Sequence, residues 1–187
     1  HYDEQTAEVD WTQLRETCLT AAQMMDNAIE MSRYPLPEIE QATKRTRKVG
    51  IGVMGFADLL IRMGLRYGSD ESAALARKIM SEVKSYLDQA TKGLARERGV
   101  FPGFDDSVFA IEDSDGRRNA TVTANAPNST ISAIAGCSSG IEPLFSLSYS
   151  KRLANGDRLN ELNREFLSRV AHLGIDSKAL SDQISAG

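Results

Sequence analysis

ATVTANAPNSTISAIAGCSSGIEP, residues 120–143, holds a single charged residue, Glu142, among hydroxyls, glycines and prolines. β-Branched residues crowd its start, so 120–125 read as a strand. STISAIAG reads as a short helix stopped by Gly136. Pro127-Asn128-Ser129-Thr130 is then a strand-to-helix turn, with backbone N–H groups and hydroxyls facing outward. A helix start carries unpaired N–H donors and about half a positive charge, which suits an anion. No Lys or Arg occurs from 119 to 150, so an anion here would be held by dipoles and hydrogen bonds. Each such bond to a charged oxygen contributes about 1.5–3 kcal/mol. An ordinary capped helix after a strand fits the same pattern equally well, and a G-x-x-x-x-G-K-[ST] loop is nowhere in the chain.

Downstream, CSSGIEPLFSLSYSKR reads as a glycine turn, a proline and a second strand at 144–150. Glu142 precedes a proline and reads as a structural hydrogen-bond acceptor. Cys137 has no His or Lys beside it to lower its pKa, and reads as inert. Upstream, VGIGVMGFADLL (49–60) places Val49, Ile51 and Val53 between glycines and then opens a helix at Phe56. This predicts a short buried strand, a tight glycine turn and a helix, as in an α/β unit. Gly50, Gly52 and Gly55 spell G-x-G-x-x-G, but no acidic residue is placed to hold a ribose, so a dinucleotide fold is not favoured. The glycines instead predict close passage of the backbone beside a neighbour or a ligand.

The helices are legible from their stripes. Asp10 caps a helix over 10–33, along which Leu14, Cys18, Ala21, Met25 and Ile29 recur. Cys18 on that stripe reads as a small buried apolar residue. Pro35 and Pro37 end this helix, and Pro37 opens a second, EIEQATKRTRK. Its Lys44, Arg45, Arg47 and Lys48 read as a solvated basic face at a helix C-terminus. Ser69 caps a long helix with Leu75, Ile79, Val83, Leu87, Ala90 and Leu94 on one stripe and Gly99 at its end. It reads as a cover packed on a sheet. Residues 100–119 read as a polar excursion pinned by apolar side chains. The order of elements predicts the α/β class, helix-rich, as one domain over 1–187.

Composition excludes several classes. The 187 residues carry a net charge of −4, which attracts neither nucleic acid nor an anionic membrane. No apolar run approaches the roughly 18 residues of a membrane span, and the acidic start does not resemble a signal peptide, so the reading is cytoplasmic. Two distant cysteines and two histidines make no zinc site. Asn119 and Asn128 begin Asn-x-Thr triplets that read as chance matches. His1 ahead of an acidic segment, with no initiator Met, suggests a piece of something longer.

APNSTISAIAGCSSGIEPLF (126–145) and TKRTRKVGIGVMGFADLL (43–60), with DNAIEMSRYPLPEIE and LNELNREFL, closely resemble the catalytic chain of ribonucleotide reductases. The chain is most similar to the adenosylcobalamin-dependent class, over nearly all of residues 10–170. The resemblance implies a segment of a ten-stranded α/β barrel. It implies that Pro127, Asn128, Ser129, Thr130 and Ile131 hold the diphosphate of a ribonucleotide, and that Gly52, Met54 and Gly55 line the barrel. The cofactor it implies is adenosylcobalamin, and the reductant is of the thioredoxin type. A homodimer is among the assemblies it leaves open.

The family more often has Thr-Gly where this chain has Asn128-Ser129. Asn tolerates a left-handed backbone and Ser less so, which would weaken phosphate binding if φ were positive there. The family's radical cysteine stands in an Asn-x-Cys-x-Glu loop, and neither Cys18 nor Cys137 matches it. The resemblance therefore implies a C-terminal part of the barrel, without its N-terminal half and radical loop, and inactive alone. Two rivals stand beside this reading. One is the di-iron class, whose radical comes from a second subunit. The other is a non-catalytic module that binds nucleotide phosphates or a partner protein.

Overall fold

Asp10 accepts the N–H of Gln13 at 2.9 Å and so caps α1 (Trp11–Met31). The computed structural model describes residues 1–3, 8–112, 115–152 and 158–176. These fall into two units, 1–52 with 74–126 and 53–73 with 127–187.

In the first unit, β1 (Tyr2–Asp3) and β2 (Glu8–Val9) pair antiparallel ahead of α1. The α1 stripe is rotated by one residue from its sequence reading. Cys18, Ala22, Asp26 and Ile29 are buried, whereas Ala21 and Met25 are half-buried. α2 (Pro37–Thr46) follows, with Pro37 in its first turn and Glu38 and Glu40 at its positive end. α4 (Asp70–Arg98) continues into this unit and buries Ile79, Val83, Leu87, Thr91, Leu94 and Ala95. It runs beside α1 in the same direction, since Lys78 lies 4.8 Å above the Trp11 ring and Arg98 reaches Asp26 at 3.0 Å. The sheet expected beneath α4 is a single isolated parallel bridge, Ile51 to Thr123. Phe101, 2% exposed, meets Phe104 and Phe109 edge-on at 5.5 and 6.5 Å and pins the excursion after α4, where α5 (Phe109–Glu112) forms.

The strands expected at 49–53 and 120–125 therefore shrink to one parallel contact. Val49 and Ile51 donate to Thr121 and Val122 at 3.1 and 3.0 Å, and Ala124 donates to Ile51 at 3.2 Å. Glycine explains both the closeness and the brevity. A Cβ on Gly52 would sit 2.2 Å from the Ala124 carbonyl oxygen, and one on Gly50 2.6 Å from the Ala124 Cβ. The backbone passes as near as the sequence predicts, but glycine adds no side chain to extend a sheet. Gly52→Ala is expected to cost about 2 kcal/mol, seen as a lower denaturation midpoint. An unchanged midpoint would refute the close approach.

The basic face of α2 is corrected at one residue. Lys48 and Arg45 are exposed, but Arg47 is 3% exposed. Arg47 takes a left-handed backbone, φ 47°, as the helix ends, and its guanidinium turns inward onto Asp26 at 2.7 Å. Asp26, 0% exposed, also receives Arg98 at 3.0 Å and the Asn119 amide at 3.1 Å. Arg118 lies 3.5 Å from the same carboxylate, and Arg47 also meets Glu30. Asn119 is itself 0% exposed, so its triplet offers no acceptor for a glycan in this fold.

In the second unit, α3 (Phe56–Met63) and α7 (Arg164–His172) pack together, joined by Arg62 to Glu165 through two 2.6 Å bonds. α6 (Ser129–Ala135) ends at Gly136, which takes φ 68°. β3 (Ser148–Arg152) and β4 (Arg158–Leu162) pair antiparallel, so the strand expected at 144–150 starts four residues later. Among the described residues the molecule is helix-rich, with seven helices and sheets of two strands, and no barrel closes. A barrel needs every strand to have two neighbours, and among the described residues the parallel pair has none beyond itself. No described helix is long and apolar enough to cross a membrane.

Candidate functional site

Pro127, Ser129, Thr130 and Ile131 are exposed at the start of α6, and Asn128 is half-buried. Asn128 stands at the N-cap with φ −101°, and its side chain does not cap the helix. The first N–H groups of α6 therefore receive no cap from Asn128, and uncapped N–H groups at a helix start suit an anion. Arg47 is the only described non-glycine residue with positive φ, so Asn128-Ser129 takes the turn without left-handed strain. The concern raised by the missing glycine does not apply to this backbone.

The Asn128 side chain turns toward the protein instead. Its Oδ1 accepts the Gly140 N–H at 2.8 Å and the Ser139 hydroxyl at 3.3 Å. The turn after α6 is thereby tied back to the start of the same helix. That turn is also held from α3. Gly55, at φ 81°, donates its N–H to the Ser138 carbonyl at 2.8 Å. The left-handed φ is what a glycine satisfies at this N-cap.

Asp58 completes the arrangement. It is 7% exposed and its Oδ2 accepts the Ser138 N–H at 2.5 Å, while the Ser138 hydroxyl accepts the Asp58 N–H at 3.3 Å. Its Oδ1 accepts the Asn163 amide at 2.9 Å, and the Asn163 oxygen caps α7 by accepting the Phe166 N–H at 2.9 Å. A cavity of about 570 Å³ opens here, lined by Asp58, Cys137, Ser138, Ser139, Asn163 and Glu165 among others. None of the residues expected to hold phosphate lines that cavity. Asp58, Ser138 and Asn163 were absent from the sequence reading. The available signals were an acidic residue in the first turn of GFADLL and an Asn before REFL.

Cys137 is partly buried, and burial followed by the charge of Asp58 pushes its thiol up, away from the reactive thiolate. Burial likewise raises the Cys18 thiol, as its place in the core implies. Glu142, expected as a structural hydrogen-bond acceptor, is exposed. Of the three residues expected to line a barrel, Gly55 is in the turn just described and Met54 is 38% exposed. Gly52 lies in the first unit, against Ala124.

The family model described as ribonucleotide reductase, barrel domain, matches residues 1–114 and 110–187. The chain is 42% identical over 177 residues to a vitamin B12-dependent ribonucleoside-diphosphate reductase of Thermoplasma acidophilum, covering 95% of this chain and 23% of that protein. A protein of the same name from Mycobacterium tuberculosis is 45% identical over 155 residues, 83% of this chain and 22% of its own length. A ribonucleoside-diphosphate reductase subunit alpha of Chlamydia pneumoniae is 28% identical over 211 residues, 93% of this chain and 20% of its own. The chain spans less than a quarter of the length of these curated relatives.

Proposed function

We propose, from the premise that this chain belongs to the ribonucleotide reductase barrel-domain family, that residues 1–187 are one segment of the catalytic barrel of a cobalamin-dependent ribonucleoside-diphosphate reductase. The complete enzyme replaces the 2′-hydroxyl of a ribonucleoside diphosphate with hydrogen. The observation that carries this reading is the 42% and 45% identity to two proteins named vitamin B12-dependent ribonucleoside-diphosphate reductase. The lower identity to the alpha subunit, 28%, favours the cobalamin class over the di-iron class.

In this reading residues 127–131 hold the substrate's diphosphate. Ser129 and Thr130 offer hydroxyls, and the uncapped N–H groups of the first α6 turn point at the same oxygens. Pro127 sets the entry to the turn, Asn128 braces it, and Ile131 contributes a backbone N–H. Gly52, Met54 and Gly55 line the barrel where the chain must pass closely. Adenosylcobalamin supplies the radical that starts the reaction. No contact with the cofactor is assigned to these residues. A thioredoxin-type reductant, a homodimer and a cytoplasmic setting complete the proposal.

The test is Ser129→Ala with Thr130→Ala in the complete enzyme. KM for CDP is expected to rise by about 10- to 100-fold, the scale of one or two hydrogen bonds to a charged oxygen. An unchanged KM would sink the phosphate role. Activity independent of adenosylcobalamin would sink the class assignment.

A further inference from the structure

Asp58 is a buried carboxylate on which two donors of the second unit converge. A carboxylate loses its hydration when buried and needs donors to offset that loss. Here Ser138 N–H and the Asn163 amide supply them at 2.5 and 2.9 Å. The Ser138 backbone is gripped on both sides, its N–H by Asp58 and its carbonyl by Gly55 N–H at 2.8 Å. The next two residues donate to Asn128, from the Ser139 hydroxyl at 3.3 Å and the Gly140 N–H at 2.8 Å. A backbone N–H can only donate, so it is the Asn128 oxygen that faces Gly140. Asn at an N-cap ordinarily bonds its own helix. Here its oxygen serves the 138–140 turn, and α6 starts without a side-chain cap.

We propose that Asp58 is a positioning residue for the 127–131 turn, acting through Ser138, Gly140 and Asn128. It touches no substrate. The proposal rests on the phosphate reading above. Through this chain of bonds the carboxylate fixes where the exposed first turn of α6 stands.

The pairing pattern supplies its own test. In Asp58→Asn, one oxygen becomes an NH2 that faces either the Ser138 N–H or the Asn163 amide, donor against donor. Turning the Asn163 amide over only moves the conflict to the Phe166 N–H, which its oxygen caps. Combining Asp58→Asn with Asn163→Asp repairs every bond. The new amide oxygen takes the Ser138 N–H, its NH2 donates to the new carboxylate, and the other carboxylate oxygen takes the Phe166 N–H.

Binding of CDP and of cytidine is measured by equilibrium dialysis on the full-length protein. The variants are Asp58→Asn, the exchanged pair, and Ser129→Ala with Thr130→Ala, each checked for folding by circular dichroism. Asp58→Asn is expected to weaken CDP about tenfold, leave cytidine unchanged, and be rescued by the exchange. A purely structural role would weaken both ligands alike. That result overturns the proposal, as does parental CDP affinity in Asp58→Asn, or a folded exchanged pair that regains none. If Ser129→Ala with Thr130→Ala leaves CDP binding intact, the phosphate reading itself fails and this proposal falls with it.

Discussion

Replacing Asp26 with alanine is expected to destabilise the protein by about 3–5 kcal/mol, because it leaves a buried charge without its partner. Asp26 is 0% exposed and Arg47 is 3% exposed, so the guanidinium would remain buried without its main partner. Glu30, at the water-facing side, cannot replace it, and Arg98 and Arg118 would then face Arg47 as like charges. Asn119 would also lose one of its two amide acceptors, keeping the Arg47 carbonyl at 3.0 Å. Asp26→Asn, which keeps the shape and loses the charge, should cost less. Denaturant unfolding measures both, and an Asp26→Ala loss below about 1 kcal/mol would mean that the arginines are hydrated after all.

The same cluster makes stability depend on pH. Burial pushes the Asp26 carboxyl up, but bonds from Arg47 and Asn119 and the charges of Arg47 and Arg118 outweigh it and hold it below its ordinary 3.8. The bond from Arg47 leads in lowering Glu30. With a lowered folded pKa, the unfolded chain takes up protons first as the pH falls. The stabilisation is therefore complete above the ordinary carboxylate range and is lost as pH falls through the folded value. In Asp26→Ala, this part of the acid sensitivity should be missing.

Phe101→Ala is expected to cost about 4 kcal/mol, within the range for a buried aromatic side chain. Its ring is 2% exposed and fills the space between Phe104 and Phe109, at 5.5 and 6.5 Å. Its N–H also donates to the Arg117 carbonyl at 3.1 Å, and Phe109 carries the Arg117 guanidinium at 4.3 Å. Losing the ring would leave the polar excursion without its anchor. Amide exchange should therefore rise across 101–112 well before it rises in α1 or α4. Protection that falls equally everywhere would show that Phe101 anchors the whole unit and not this segment.

α1, α4 and α6 were legible because their signals are local. Asp10 before an apolar stripe, the Ile79-Val83-Leu87-Leu94 ladder and Gly99 or Gly136 at a stop each act within about one turn of helix. The close passage at Gly50 and Gly52 was legible too, because only glycine leaves such a backbone bare. The strands around those glycines were overestimated for the same reason, since a residue that allows close approach contributes little to a sheet.

Asp26, Arg47 and Asp58 were not legible. Asp26 sits on an otherwise apolar stripe, and nothing within a few residues explains it. Its partners Arg47, Asn119, Arg98 and Arg118 lie 21, 93, 72 and 92 residues away. Arg47 looked like its exposed neighbours until a left-handed backbone turned it inward. Asp58 likewise meets Ser138 and Asn163 across 80 and 105 residues.

By itself, then, the sequence determined the helices α1 to α4 and α6, the bare glycine crossing and the family, since each is written in neighbouring residues or in a contiguous motif. Which charges are buried, and which side chain braces the 127–131 turn, only the tertiary structure decided. A carboxylate's partner is set by which distant segments the fold brings within about 3 Å, and no local pattern encodes that distance.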